Sequence, residues 1–388
     1  IGSDTSVIVA DTQGDGLAEH AADTPREPAS TMKTLTALAA SATLDMASTL
    51  DTQVLLTQDE GGSATVHLKG NGDMLLSAGE SDPDHVNGRA GLDTLASATA
   101  SALAQRGIDS VQLGYDDTLF GDERTPVGIE RNNGDYLYYT PVSSMAIDGG
   151  RQYSETTPKP ANPDDATDYP VLSQTTAADT AAVFAKLLES RGITVTQKPK
   201  PMDSPQDVTP IASVSSATLA EILSFMLRHS DNTLAEEFGR LTALARHAGN
   251  SPTAATQAVR AALGELGIDT TGLHMADCSG LTPGSTLTVR TLVAVQSRNL
   301  TTGVGAAAAE GLSVAGLVGT AASRYTDDAV AGLLRVKTGS LESVTSMAGN
   351  ISRINGGALS FAVIVNNPED YSAARSAIDA FATALAKL

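Results

Sequence analysis

The chain has 388 residues, enough for two domains at about 150 residues each. With 41% hydrophobic and 18% charged residues it reads as globular, and no apolar run approaches the roughly 18–20 residues of a membrane span. The balance of 25 basic against 45 acidic residues, a formal charge of −20, repels nucleic acid and anionic lipid, and no Lys/Arg run offsets it.

The first residue is Ile1 rather than Met, which is compatible with a removed secretion signal. A single cysteine, Cys278, excludes an internal disulfide. The six histidines (His20, His67, His85, His229, His247 and His274) are scattered without metal-ligand spacing, so no metal site is expected.

Near the N-terminus, SVIVAD (6–11), a QGDG turn and GLAEHAAD (16–23) read as a β-hairpin. Beyond TPREPAS, residues 31–46 are rich in Ala, Leu and Met without Gly or Pro. They predict a buried helix starting near Ser30. Residues 54–207 differ in character, with strand-like runs VLLTQ, TVHLKG and SVQLGYDD, helices over 92–105 and 177–191, and a short strand GITVTQ. Between those helices lies a polar, Pro- and Asp-rich loop, 149–169, expected to be mobile.

The helices LAEILSFML and TLAEEFGRLTAL follow, on either side of Ser230-Asp231-Asn232. Segments 332–340, 344–352 and 358–367 predict three strands with short turns, ahead of a last helix over 371–388. Strands at both chain ends can join one sheet. The expected fold class is therefore α+β: an antiparallel sheet flanked by helices, built from 1–53 and 208–388, with a smaller α/β domain, 54–207, inserted.

Three short motifs carry chemistry. Ser30-Thr31-Met32-Lys33 is the only S-x-x-K in the chain. Residues i and i+3 share a helix face, and a desolvated Lys amine there serves as base for a serine nucleophile. Ser230-Asp231-Asn232 offers a hydroxyl and an amide at a helix junction, suited to proton relay and to holding a substrate amide. Lys337-Thr338-Gly339 sits on a predicted strand, where an extended peptide can pair, Gly permits close approach and Lys can bind a carboxylate.

Alone, each has an ordinary structural explanation: a cap for Ser30 and Ser230, a solvated strand residue for Lys337. S-x-N even recurs at Ser297-Arg298-Asn299. In this order and context the three form the set of penicillin-binding proteins and class A β-lactamases.

The segments PASTMK, HSDNTLAEE, DCSGL and VKTGSL resemble the D-alanyl-D-alanine carboxypeptidase/endopeptidase family, the class C low-molecular-mass penicillin-binding proteins of peptidase family S13. LSVAGLVGTAASR and YLYYTPVSSMAIDGG are similar to its regions before K-T-G and inside its insert. The resemblance implies a penicillin-binding/serine β-lactamase-like fold. It also implies acylation at Ser30, Lys33 as proton acceptor, and catalytic roles for Ser230, Asn232 and Lys337.

It further implies an oxyanion hole from the backbone N–H groups of Ser30 and Ser340, worth a few kcal/mol to the transition state. Thr338, Gly339, Ser340, Leu341 and Tyr138 would contact substrate. The implied substrates are peptidoglycan peptides ending in D-Ala-D-Ala, with β-lactams as covalent inhibitors and no cofactor, in a bacterial extracytoplasmic setting. The chain departs from the family where Cys278 replaces the Gly of Asp-Gly-Ser-Gly-Leu, read as a small buried replacement with no base beside it. Only one complete insert is expected.

A class A β-lactamase lacks an insert between S-x-x-K and S-x-N. An α/β-hydrolase would need G-x-S-x-G. A generic esterase on the same fold, or a wall-binding protein that had lost activity, remain the other readings.

Overall fold

The computed structural model describes residues 2, 4–165, 169–301, 303–325 and 330–388. The chain opens with β1 (Thr5–Ala10), β2 (Gly16–His20) and α1 (Lys33–Thr43). Next come β3 (Thr49–Gln58), β4 (Ala64–Lys69), β5 (Asp73–Leu76), α2 (Leu92–Ala104), β6 (Ser110–Asp116) and β7 (Met145–Ile147). They are followed by α3 (Thr176–Glu189), β8 (Thr194–Val195), β9 (Lys200–Pro201), β10 (Ala212–Thr218) and α4 (Leu219–His229). The remainder holds α5 (Asn232–Ala245), α6 (Pro252–Glu265), α7 (Val289–Asn299), α8 (Ala306–Glu310) and β11 (Ser313–Val314). β12 (Leu334–Leu341), β13 (Val344–Ser352), β14 (Ala358–Asn366) and α9 (Tyr371–Ala386) complete it.

These elements form two compact units. The first is Ile1–Met46, Pro126–Asn132 and Leu223–Leu388; the second is Ala47–Thr125 and Asn133–Ile222.

In the first unit a six-stranded sheet runs β11-β12-β13-β14-β1-β2, antiparallel throughout. β1 lies against β14 with Val7 opposite Val363, so the two ends of the chain meet in one sheet. Successive strand residues point to opposite faces. Ile8, Ala10, Ala362 and Ile364 therefore pack with Leu35, Leu38, Val259 and Leu292. Val9, Phe361, Val363 and Val365 pack with Ile378 and Ala382 of α9 on the other face. Burial on both sides explains why β14 reads as a nearly unbroken apolar run and why β13, although it carries Thr345, Ser346 and Asn350, is buried along nearly its whole length.

The second unit has the sheet β10-β3-β4-β6-β8, with β9 also beside β6 and a separate β5-β7 pair. Leu92, Leu95, Phe184 and Leu188 of α2 and α3 cover Val66, Leu68, Val111 and Leu113. β3 pairs β10, with Asp51 opposite Ser215. That pairing draws 47–53 and 208–222 into this unit, although the sequence suggested they belong with the catalytic sheet. Residues 126–132 cross the other way, and Asn132 donates to the Leu281 carbonyl at 2.8 Å.

Several local expectations change. The helix foreseen from Ser30 to Met46 is a 3₁₀ turn, Ala29–Met32, followed by α1 ending at Thr43. GITVTQ is reduced to Thr194–Val195. The polar 149–169 loop, expected to be mobile, is tied down at Asp164, whose carboxylate accepts from Val86 N at 3.1 Å and Asn87 N at 2.8 Å and meets His85 Nδ1 at 3.1 Å. Residues 166–168 of that loop lie outside the described residues. Among the described residues no helix is long and apolar enough to cross a membrane, and no cluster of three His, Cys, Asp or Glu could hold a metal.

Candidate active site

Ser30 sits in the 3₁₀ turn directly ahead of α1, and it caps neither element. The turn is set by its flanks. Ala29 takes a φ of +49°, a left-handed conformation that costs a non-Gly residue roughly 1–3 kcal/mol unless its surroundings enforce it. Enforcement comes from the Pro28 carbonyl, which accepts from Thr31 Oγ1 at 2.8 Å and from Ser346 Oγ of β13 at 2.7 Å. The α-carbon of Gly280, at φ +80°, presses on the Ala29 carbonyl so closely that any side chain there would overlap it.

Lys33, the first residue of α1, is fully buried and three positions from Ser30. Its amine meets Ser30 Oγ at 3.0 Å, Asn232 Oδ1 at 2.7 Å and the Ser279 carbonyl at 2.9 Å. Two of these partners, the amide oxygen and the carbonyl, only accept. A neutral amine gives them its two N–H bonds and turns its lone pair to the Ser30 hydroxyl. Burial pulls the Lys33 pKa down to about 7, with the anions Asp277 and Asp231 pulling the other way.

Lys337 is also fully buried, not a solvated strand residue. It donates to Ser230 Oγ at 2.9 Å and to its neighbour's carbonyl, that of Thr338, at 2.7 Å. Burial holds its pKa well below the ordinary lysine value, reinforced by the charges of Lys33 and Arg324. Ser230 adopts φ +57° at the α4–α5 junction, and the N-cap of α5 is Asp231, which accepts from Leu234 N at 3.0 Å. The two lysines thus bracket the S-x-N segment, one holding Asn232 and the other Ser230.

β12 supplies the open edge. β11 pairs only Arg335 and Val336, and among the described residues no strand covers 337–341 on that side. The two-residue turn at Glu342 and Ser343 makes Leu341 and Val344 a hydrogen-bonded pair, and the alternation of an antiparallel ladder then directs the N–H groups of Ser340 and Thr338 to the open edge. A Cβ on Gly339 would lie 2.8 Å from the Pro28 carbonyl and 3.1 Å from the Ser30 amide nitrogen, so only Gly lets β12 approach the Ser30 turn. Thr338 Oγ1 bonds Thr320 Oγ1 at 2.9 Å. Leu341 is half-buried and Glu342 exposed.

Seven positions foreseen from the sequence converge here: Ser30, Lys33, Ser230, Asn232, Lys337, Thr338 and Gly339, with Ser340 on the same edge. Tyr138 lies in the second unit, 43% exposed, its ring edge-to-face with Tyr169 at 5.3 Å. The second S-x-N match is structural, with Ser297 Oγ donating to Ser360 Oγ inside the core. Cys278 is fully buried, and burial beside Glu236 and Asp277 raises its thiol pKa well above the usual range. The sequence did not reveal the Ser279 carbonyl or Thr320, because a backbone acceptor and a lone threonine carry no spacing signal.

Comparison with known proteins bears on this cluster. A model of the D-Ala-D-Ala carboxypeptidase 3 (S13) family matches residues 1–173 and 161–388. The chain is similar to carboxypeptidase DacB of Mycolicibacterium smegmatis, 34% identical over 97% of this chain and 78% of that protein. Its fold is that of penicillin binding protein 4 from Haemophilus influenzae, with a TM-score of 0.81 and 19% identity over 100% of this chain and 98% of that one. A structure of the same Haemophilus protein complexed with a β-lactam gives 0.73 and 20% over 99% and 96%.

Proposed function

The chain belongs to the D-Ala-D-Ala carboxypeptidase 3 (S13) family, and on that premise we propose that Ser30 is its acylated nucleophile, acting on peptidoglycan stem peptides that end in D-Ala-D-Ala. The observation that carries this reading is the Lys33 amine, buried, with two obligate acceptors and its remaining position on Ser30 Oγ.

Ser30 Oγ attacks the carbonyl carbon of the D-Ala-D-Ala bond while its proton passes to Lys33 Nζ. The carbonyl oxygen, now an oxyanion, is held by the N–H groups of Ser30 and Ser340. The peptide lies along β12 as an added strand, its terminal carboxylate at Lys337 and Thr338. The C–N bond then breaks. The proton reaches the leaving amine through Ser230, whose hydroxyl is within 2.9 Å of Lys337.

Water next attacks the ester, Lys33 takes its proton, and Ser30 Oγ leaves with that proton restored. Release of the terminal D-Ala is carboxypeptidase action, and release of a neighbouring peptide's amine from the same D-Ala carbonyl in a cross-link is endopeptidase action. Opening of a β-lactam follows the first half, and slow hydrolysis of its acyl-enzyme makes it an inhibitor. Peptidoglycan lies outside the cytoplasmic membrane, and we propose that the chain works there.

The test is intact-mass measurement after incubation with benzylpenicillin, together with D-Ala release from stem peptides. One covalent adduct, absent in Ser30→Ala, is expected. Folded wild-type protein that forms no adduct would sink the reading.

A further inference from the structure

We infer that Asp277 is a positioning residue for the proton-accepting step: it fixes the Ser279 carbonyl against the Lys33 amine and supplies the buried negative charge that governs how readily that amine takes a proton. The inference rests on the reading of Lys33 as base.

Asp277 is fully buried. Its Oδ1 accepts from Ser279 N at 2.9 Å and Gly280 N at 2.6 Å, and its Oδ2 from Ser279 Oγ at 2.9 Å and Thr282 N at 2.8 Å. All four donors are dipoles, not cations. All four are spent on this one carboxylate, so the backbone from Ser279 to Thr282 is wrapped around it. The chain is folded around the anion, and that turn faces the Ser279 carbonyl outward to Lys33.

The same turn is gripped from outside. Cys278 N donates to Glu236 Oε2 at 3.1 Å, and Thr36 Oγ1, on α1 three residues past Lys33, donates to the Cys278 carbonyl at 2.7 Å. The loop and the base therefore share one rigid frame.

The charges around Lys33 single out Asp277. The anions facing it are Asp277 and Asp231, and the facing cation is Lys337. Behind Asp277 lie Glu236, Arg240 and Cys278, and α5 also carries Glu237. Asp231 is half-buried and spends its carboxylate on capping α5, whereas Asp277 is wholly removed from solvent, where a charge acts with little screening. Of the groups opposing the burial that lowers the Lys33 pKa, Asp277 is the largest.

The experiment measures the pH dependence of acylation by benzylpenicillin for wild type, Asp277→Asn and Ser279→Ala, with thermal unfolding of each. Removing the charge is expected to move the acid limb of Asp277→Asn to lower pH by on the order of one unit, with a lower plateau. Ser279→Ala removes one dipole that offsets the carboxylate, so its limb is expected to move to higher pH. A merely structural role would lower both plateaus and leave both midpoints at the wild-type value, which overturns the inference. If Asp277→Asn does not fold, the direction of the Ser279→Ala shift decides alone. Wild type without Ser30-dependent acylation overturns the base assignment and this inference together; normal wild-type acylation with unmoved midpoints overturns this inference only.

Discussion

Lys33 is a lysine whose surroundings use two of its hydrogens and leave the third position facing a hydroxyl. Only its neutral form accepts a proton, and burial sets the change of form at about 7. Acylation is therefore expected to rise with pH through that region and level off above it, far below the ordinary lysine range, as followed with a fluorescent penicillin. Lys33→Met keeps a comparable stem and deletes the amine. It should slow acylation by roughly 10²–10⁴-fold. Thermal stability should change little at neutral pH, because removal of a desolvated amine is offset by the loss of its donors to Asn232 Oδ1 and the Ser279 carbonyl. Spacing in the sequence was enough to pair Ser30 with Lys33. It was silent on why the pair is competent, because that depends on burial and on a carbonyl 246 residues away in the chain.

At the scale of elements, α5 and the Asp277–Gly280 turn are fitted to each other through Gly239. A Cβ on Gly239 would overlap Cys278 Sγ and lie 3.1 Å from Cys278 Cβ and 3.3 Å from Ala255 Cβ. Gly239→Ala is thus expected to destabilise by about 1–3 kcal/mol, the usual cost of overpacking. In a Cys278→Gly background most of that cost should vanish, a coupling that a double-mutant cycle of denaturation measurements reads directly. If the two changes add without coupling, the proposed fit between them is wrong.

The cysteine's burial was anticipated from its place in DCSGL, but its facing glycine was not, since nothing in the sequence aligns 239 with 278. Strands β12, β13 and β14 were legible as three strand-like segments separated by short turns, though only β14 is a nearly unbroken apolar run. β3 and β10 were read apart because their pairing spans 158 residues between Val54 and Ala212, and pairing at that distance leaves no periodic trace. The 3₁₀ turn was read as helix because Ala and Met favour helix, and tertiary contacts to Pro28 and Ala29 overrode that preference.

For the molecule as a whole, one buried carboxyl links stability to pH. Asp73 in β5 is fully buried, accepts from Leu75 N at 2.9 Å with one oxygen, and has its pKa raised by burial from 3.8 to about 7. The folded state holds this proton more tightly than the unfolded state. Its contribution is complete below about pH 4 and is lost as pH rises through about 7. Asp73→Asn cannot ionise. Its melting temperature relative to wild type is expected to improve between pH 5 and pH 8 by roughly 2–4 °C, the effect of about 1 kcal/mol in a unit of this size.

The pairing of β1 with β14 has a consequence in time. A ribosome releases Ser30 and Lys33 early and the strand bearing Lys337 and Ser340 late, and the sheet that unites them closes only when residue 366 has emerged. Every chain that stops short of β14 carries β1 without its neighbour. The long separation of these partners makes folding slow. Closure of this sheet is therefore a late event, held back until β1 and β14 are both available.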